Sequence, residues 1–208
     1  MSSTKTGAKK NAAQATIGRR VVLTGGPCAG KTTIAQVLER AFATDLVIMP
    51  ESASLLFKGG FPRWGEEEAR TCLQRSIYAV QCQMESMFMS HYPDKVIVMD
   101  RGTIDGAAYW PKGPDEYFRV LGSSLQTELQ RYDRVIFLES AGKDAYDRNR
   151  TRNPARTESW DEARALDETT RKLWEQHPDI QIIRNNTAFS EKIAAVLRVI
   201  EEVIHGNR

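Results

Sequence analysis

One stretch of this chain constrains its fold more than any other, the glycine-rich segment 25–32 with the sequence GGPCAGKT. A short β-branched run at 20–24 precedes it, and segment 31–42, whose apolar residues recur at helical spacing, follows. Glycines let the backbone wrap closely around an anion, and the N–H groups of the loop and helix start stabilise its charge. The pattern G-x-x-x-x-G-K-[ST] between a strand and a helix therefore predicts a phosphate-binding loop.

This loop supplies most of the predicted nucleotide-binding residues. They are Gly25, Gly26, Pro27, Cys28, Ala29, Gly30, Lys31, Thr32 and Thr33. Lys31 is expected to reach the β- and γ-phosphates, and the Thr32 hydroxyl is expected to ligate Mg²⁺. Cys28 is interpreted as a passive loop residue without chemistry of its own. A chance match in a glycine-rich turn is the alternative, which the surrounding strand and helix patterns disfavour.

Strand-sized apolar runs alternate with helical patterns along the rest of the chain. Further strands are predicted at 46–49, 95–99, 134–138 and 180–183, and further helices at 66–91, 159–176 and 189–205, with one or two short helices within 116–132. Ser159 and Glu162 form a capping box at the start of one helix. Strands separated by helices need crossover connections, which predicts an α/β fold with a parallel sheet of about five strands between two helical layers.

The long helix 66–91 is expected to bury one apolar stripe against the domain. The residues of that stripe are Ala69, Leu73, Ile77, Val80, Met84, Met87 and Phe88.

Composition bounds the kind of protein that this chain can be. With 208 residues, of which 41% are hydrophobic and 27% charged, it can bury a core as one domain. Its longest apolar runs are strand-sized, so we expect no membrane-spanning segment. Three scattered cysteines without a CxxC pair favour a reducing compartment, and we expect a cytoplasmic protein without a disulfide framework or a zinc site.

The charge is unevenly distributed along the chain. The net charge is +2, but residues 1–20 contribute five positive charges and no acid, so residues 21–208 carry a net −3. A mildly acidic globular part argues against a nucleic-acid partner. Residues 1–18 are expected to form a disordered basic tail, with a weak organelle transit peptide as the alternative, and residues 19–206 to form the domain.

Two carboxylates follow predicted strands. In a parallel sheet the carboxyl ends of the strands share one edge, where ligands bind. Asp100, after the third predicted strand, is expected to hold Mg²⁺ directly or through water, or alternatively to cap the next turn. Glu51, after the second, is expected to orient or deprotonate an attacking hydroxyl, or alternatively to sit at a helix start favoured by the dipole. Arg101 places a guanidinium beside Asp100, and Asp105 is a weaker candidate for binding a second substrate or for starting the next helix.

The segment 146–156 (YDRNRTRNPAR) is rich in arginine. Its arginines are Arg148, Arg150, Arg152 and Arg156. Because a guanidinium donates two parallel hydrogen bonds, such a segment suits phosphate groups and predicts a lid that closes over a transferring phosphoryl group. A basic surface loop paired with Asp144, Asp147 and Glu158 is the alternative.

Two aromatic residues lie in the irregular segment 59–65, Phe61 and Trp64. They are suited to stacking on a planar ring, and the alternative is that they pack onto the domain.

Taken in order, these motifs resemble the NadR-like P-loop ATPase/kinase family, which includes the ribosylnicotinamide kinase domain and the nucleotide-binding half of the TRPL translocation defect protein. The likeness spans roughly residues 19–205 and rests on GGPCAGKTT at 25–33, Pro50-Glu51, Asp100-Arg101-Gly102 with Asp105, and Arg156-Thr157-Glu158. More distantly, the order of these acids and arginines is similar to that of deoxynucleoside and thymidylate kinases. The resemblance implies a P-loop NTPase fold, ATP or GTP as phosphoryl donor, and Mg²⁺.

By this resemblance Glu51 is the acceptor-side base, Asp100 the magnesium or catalytic carboxylate, and Arg101 a substrate-side clamp. The resemblance also implies contacts with the donor nucleotide: Arg148, Arg152 and Arg156 with its phosphates, and Asn186 beside Asn185 near its base. The chain departs from the family in lacking an adenylyltransferase domain, a second module and any motif that names an acceptor.

We therefore expect a magnesium-dependent, ATP-binding kinase acting on a small nucleoside- or nucleotide-like acceptor. A regulatory switch that binds GTP or ATP and hydrolyses it slowly is the alternative, although no NKxD motif indicates guanine. A structural module with a vestigial loop is the third hypothesis, and the intact Lys31, Thr32 and Asp100 disfavour it.

Overall fold

A computed structural model of the chain describes residues 19–140, 142–143, 146–147, 159–185 and 188–206. In these ranges one parallel sheet is formed by β1 (Arg20–Thr24), β2 (Leu46–Met49), β3 (Val96–Asp100), β4 (Arg134–Leu138) and β5 (Ile180–Ile183), in the order β2-β3-β1-β4-β5. The predicted α/β class with a five-stranded parallel sheet is confirmed. The predicted basic tail 1–18 lies outside the described residues.

Helices connect the strands and cover the sheet. They are α1 (Lys31–Ala41), α2 (Ser52–Lys58), α3 (Glu67–His91), a 3-10 helix (Thr103–Tyr109), α4 (Pro114–Leu121), α5 (Leu125–Leu129), α6 (Trp160–Trp174) and α7 (Phe189–His205). The predicted capping box is confirmed, because Ser159 Oγ accepts from Glu162 N at 3.2 Å and Ser159 N donates to Glu162 Oε2 at 2.7 Å. Sequence periodicity did not delimit α2 and the 3-10 helix, which are each too short for a clear period, although helix starts near Glu51 and Asp105 were considered.

The sheet separates two hydrophobic cores, because successive side chains of a strand point to opposite faces. On one face Leu23 of β1 packs with Ile34 of α1 and Ile200 of α7. On the other face Val22 packs in a cluster with Trp174 of α6 and with residues of the 3-10 helix and α4. The result is the predicted three-layer arrangement.

The expected buried stripe of α3 is only partly confirmed, because Met84 and Phe88 pack half-buried against the core but no residue of the stripe is fully buried. The buried residues of α3 are the polar Gln74, Gln81 and Glu85, whereas Met87 is 67% exposed and the other expected residues are only partly buried. The helix crosses the carboxyl end of the sheet, where polar partners are available for Gln81 and Glu85. Those partners therefore explain the burial of Gln81 and Glu85.

The topology places a crevice at the start of α1. From β1 the chain crosses to β2 at one edge of the sheet, and from β4 it crosses to β5 at the opposite edge. The topological switch point therefore lies between β1 and β4, where ligands bind in open α/β sheets. No helix within the described ranges is long and apolar enough to cross a membrane.

Candidate active site

The glycine-rich loop between β1 and α1 is a tight turn that excludes side chains at defined points. Gly25 has a φ of +132°, and a Cβ there would lie 2.0 Å from the carbonyl oxygen of Leu138. Gly30, at the N-cap of α1, has a φ of +93°, and a Cβ there would lie 2.5 Å from the ring of Phe189. These glycines bring the backbone N–H groups of the loop and of α1 to one point, the arrangement that binds phosphate.

The Lys31 ammonium group lies inside this turn. Its Nζ donates to the carbonyl oxygens of Gly25 at 2.7 Å and Gly26 at 2.9 Å. Burial, and secondly the Arg101 guanidinium, lower the pKa of Lys31 to about 8 against the opposing effect of nearby carboxylates. Lys31 is therefore a cation at neutral pH that carbonyl oxygens hold in place, and phosphate oxygens are a stronger partner for it.

The Asp100 carboxylate, at the end of β3, lies beside β1 because Leu23 pairs with it in the sheet. Its Oδ1 is buried without a hydrogen-bond partner in the described part of the chain. Burial raises its pKa to about 6, and Glu51 and Asp105 add to this shift against the opposing charges of Lys31 and Arg101. A buried carboxylate oxygen with unused lone pairs is expected where a cation binds.

These residues fit a magnesium ion. Asp100 and Thr32 line the same cavity, and carboxylate and hydroxyl oxygens are the hard ligands that Mg²⁺ prefers. The described residues include no cluster of three or more His, Cys, Asp or Glu suited to a metal, so nucleotide phosphates and water would complete the coordination. When bound, the ion neutralises charge on the donor phosphates.

The Glu51 carboxylate is held by Arg101. Arg101 Nε donates to Glu51 Oε1 at 2.7 Å, and the Ser54 hydroxyl donates to the other carboxylate oxygen. Burial by itself would raise the pKa of Glu51, but Arg101, Ser54 and Lys31 together lower it. Glu51 is the N-cap residue of α2, but its side chain does not cap that helix. It lines the cavity as an ionised group instead.

Asp105 is committed to structural hydrogen bonds. It accepts from Thr24 Oγ1 at 2.6 Å, from Gly102 N at 3.0 Å and from Trp174 Nε1 at 3.2 Å, and its Oδ1 lies 2.8 Å from Arg101 NH1. Asp105 lies in the first turn of the 3-10 helix and also lines the cavity. Its position at a helix start is confirmed, and binding of a second substrate stays a prediction. The same carboxylate fixes the Arg101 guanidinium that holds Glu51.

A single cavity of about 850 Å³ is lined by the phosphate loop and Glu51 and also by a second group of residues, which we call the second compartment. That compartment is walled by α2, α3 and the 3-10 helix and is lined by Phe57, Trp64, Leu73, Gln74, Ile77 and Tyr109. Trp64 is 65% exposed at the cavity, so it does not pack down on the domain. Phe61 does not line the cavity.

Sequence patterns did not indicate a contact between the phosphate loop and α6. Gly26 N donates to Asp167 Oδ1 at 2.7 Å, although the two residues are 141 positions apart. Ser140 Oγ lies 2.9 Å from both Asp167 Oδ1 and the Pro27 carbonyl oxygen. No local signal identifies Asp167, since it is one of several charged residues on an amphipathic helix.

The predicted site residues fall into three groups. Gly25 and Gly26 shape the turn of the loop but do not line the cavity. Lys31, Thr32, Glu51, Asp100 and Arg101 line the one cavity, together with loop residues from Pro27 to Thr33. Arg148, Arg152, Arg156 and Asn186 lie outside the described residues, and their roles stay predictions.

The parallel sheet, the loop at the end of its central strand and the aspartate at the end of the neighbouring strand define a nucleotide-binding domain of the P-loop NTPase class. A family model described as "AAA domain" matches residues 20–192. The chain belongs to that family. No curated protein matches it significantly.

Proposed function

We propose that this protein is a magnesium-dependent kinase that transfers the γ-phosphoryl group of ATP to a hydroxyl group of a nucleoside- or nucleotide-like small molecule. The observation that carries the proposal is that one cavity is lined by the phosphate loop, by the Glu51 carboxylate and by aromatic and aliphatic residues of the second compartment. An NTPase that needs only water as nucleophile has no use for such a compartment. A volume of about 850 Å³ lies within the range of small-molecule sites.

The loop and Lys31 bind the donor in this proposal. The backbone N–H groups around Gly30 surround the phosphates at the N-terminus of α1, and Lys31 transfers its hydrogen bonds from loop carbonyls to phosphate oxygens. Asp100 and Thr32 would hold Mg²⁺, which would neutralise charge on those phosphates.

Glu51 and Arg101 act on the acceptor side. The Glu51 carboxylate accepts a hydrogen bond from the acceptor hydroxyl and turns its oxygen toward the γ-phosphorus. As the new O–P bond forms, the hydroxyl proton passes to Glu51, and the bond to the β,γ-bridging oxygen breaks with its electrons left on ADP. Positioning and charge stabilisation supply most of the acceleration in such transfers. Arg101 keeps the carboxylate ionised and in place.

The test is acceptor-dependent release of the nucleoside diphosphate. The purified protein is incubated with Mg·ATP, and in parallel with Mg·GTP, and with a panel of nucleosides, nucleotides and other hydroxyl-bearing metabolites. A sharp rise with one acceptor class is the expected result. Slow release that no acceptor changes, combined with tight nucleotide binding, would contradict the kinase and favour a regulatory switch.

A further inference from the structure

The side-chain amide of Gln81 on α3 bridges the two loops that carry Glu51 and Arg101. Gln81 is 1% exposed and lies at the cavity wall. Its Oε1 accepts from Ser52 Oγ at 3.0 Å, and its Nε2 donates to the Arg101 carbonyl oxygen at 3.1 Å. Because Ser52 directly follows Glu51 in the chain, one amide holds the residue next to Glu51 and the main chain of Arg101 together.

The backbone of Arg101 has a conformation that depends on its surroundings. Its φ of 73° lies in the left-handed region, which residues other than glycine adopt infrequently. Such a conformation persists where the surrounding structure holds it. Here the Arg101 N–H donates to the Leu23 carbonyl oxygen at 3.1 Å, and its carbonyl oxygen accepts from Gln81. These two hydrogen bonds fix the point from which the guanidinium reaches Glu51.

Glu85, one turn further along α3, determines which way the Gln81 amide faces. Its Oε1 accepts from Gln81 Nε2 at 3.1 Å and from the Tyr132 hydroxyl at 2.9 Å, and its Oε2 accepts from Arg131 Nε at 3.1 Å. An ionised carboxylate only accepts hydrogen bonds, so the amide nitrogen has to face it. The amide oxygen is thereby directed toward the Ser52 hydroxyl.

The partners of Gln81 relate the reacting groups to the acceptor side of the cavity. Glu51 and Arg101 are 50 positions apart, and their side chains meet at 2.7 Å. That ion pair fixes each of them relative to the other. The Gln81 amide fixes both relative to α3, which forms one wall of the second compartment. In phosphoryl transfer this placement matters, because a misplacement of about 1 Å costs about 100-fold in rate.

We propose that Gln81 is a positioning residue, whose amide holds Glu51 and Arg101 in the orientation that phosphoryl transfer to the acceptor requires. This inference rests on the proposed kinase function and adds a residue to its machinery. Gln81 acts through Glu51, whereas Glu51 acts on the acceptor hydroxyl.

The experiment compares wild-type protein with Gln81→Met. The full chain is assayed with Mg·ATP and adenosine, cytidine, guanosine, uridine or their 5′-monophosphates, and the compound that accelerates ADP release most is used for every variant. Methionine has a similar length but cannot make the hydrogen bonds of the amide, so kcat is expected to fall about 10- to 100-fold. The Kd for ATP is expected to stay unchanged, because the phosphate loop is intact. Gln83→Met, at an exposed position of the same helix, is the matched control and is expected to change neither quantity.

A double-mutant cycle with Glu51→Gln separates positioning from a contribution to the fold alone. If Gln81 acts through Glu51, the double variant is expected to have the kcat of Glu51→Gln within about twofold. A glutamine that only stabilises the fold would lower kcat by the same factor in the wild-type and Glu51→Gln backgrounds. That additive result would overturn the inference.

Ser52→Ala tests the same role if Gln81→Met does not fold, as judged by circular dichroism and thermal unfolding. It removes one hydrogen bond of the amide and leaves those of Nε2 in place. The expected loss in kcat is about three- to tenfold, the effect of one hydrogen bond, and it is expected to disappear in the Glu51→Gln background. An unchanged kcat for Ser52→Ala would then overturn the inference.

The remaining outcomes distinguish the two proposals. If wild-type protein phosphorylates an acceptor and folded Gln81→Met does so with the same kcat, the kinase stands and positioning by Gln81 is overturned. If Glu51→Gln keeps the wild-type kcat, phosphoryl transfer stands, but the role of Glu51 and the inference that depends on it are overturned. If none of the nucleosides or nucleotides accelerates ADP release, both proposals are overturned.

Discussion

Glu51 accepts a hydrogen bond from Arg101 Nε at 2.7 Å, which ties the carboxyl end of β2 to that of β3. Arg101 adopts a left-handed backbone conformation with a φ of 73°. Its NH1 group donates to Asp105 Oδ1 at 2.8 Å. One guanidinium thus joins two carboxylates that line the cavity, of which Asp105 also accepts hydrogen bonds from Thr24 and Trp174. The pair supports the division of roles between a reacting group and its holder.

Glu51→Gln is expected to lower acceptor-dependent kcat about 100-fold or more, because an amide cannot take the hydroxyl proton. Nucleotide binding is expected to persist, since Lys31 and the loop backbone are intact. The measurements are steady-state kinetics and the Kd for ATP, with Glu66→Gln, an exposed glutamate before α3, as control. Equal loss of ATP binding would show that Glu51 has a structural role.

Lys31→Ala is expected to lower turnover about 100-fold or more and to weaken ATP binding, since the Lys31 cation is removed from the phosphate site. The protein is expected to fold, because the lysine contacts only carbonyl oxygens of its own loop through Nζ. Circular dichroism and ATP kinetics check both points, with Lys172→Ala at an exposed pair with Glu168 as control. An unchanged rate would refute the phosphate-loop assignment.

The pH profile of kcat/KM for ATP is expected to be bell-shaped. Activity should rise as pH increases through about 6, where Asp100 loses its proton, and fall as pH increases through about 8, where Lys31 loses its charge. Because kcat/KM reports the free enzyme, these are the relevant groups, and their coupling makes the two values properties of the pair. Raising the Mg²⁺ concentration is expected to move the acid limb to lower pH, since metal and proton compete for Asp100. An acid limb that stays at the same pH when the Mg²⁺ concentration is raised would argue against Asp100 as a metal ligand.

The raised pKa of Asp100 also predicts how the stability of the fold changes with pH. The pKa of Asp100 in the folded state, about 6, exceeds its usual value of 3.8. The contribution of Asp100 to the free energy of unfolding is therefore most favourable below about pH 4 and is lost as pH rises through 6. Asp100→Asn removes this loss, so its gain in unfolding free energy over wild type should grow between pH 4 and pH 7. Urea unfolding at both pH values measures it, and a gain that does not change with pH would contradict the raised pKa.

Asp167→Ala is expected to raise the KM for ATP about tenfold, because the Gly26 amide loses its acceptor and the loop loses its contact with α6. Asp167→Asn retains a carbonyl oxygen and should restore much of the affinity. Glu168→Ala on the same helix is the control, since Glu168 pairs with the exposed Lys172. If Asp167→Ala lowers Tm but leaves the KM for ATP unchanged, Asp167 only stabilises the fold.

Local chemistry made part of this structure predictable. The phosphate loop depends on consecutive residues from Gly25 to Thr32, and the helix start at Ser159 depends on a partner three positions away. Strands such as Arg134–Leu138 are apolar on both faces because helices cover both sides of the sheet. Such patterns lie within a few residues of chain, so the sequence by itself determined the fold class, the loop and the carboxylates that end the strands.

Tertiary structure decided which side chains meet across long distances in sequence. The burial of Gln74 and Gln81 depends on how α3 crosses the sheet, which its apolar residues did not indicate. Asp105 is occupied by Thr24 and Trp174, residues from distant parts of the chain. The sequence determined the chemistry of the site because that chemistry is local. The structure decided which groups are engaged and which remain available, because hydrogen-bond partners are chosen by packing.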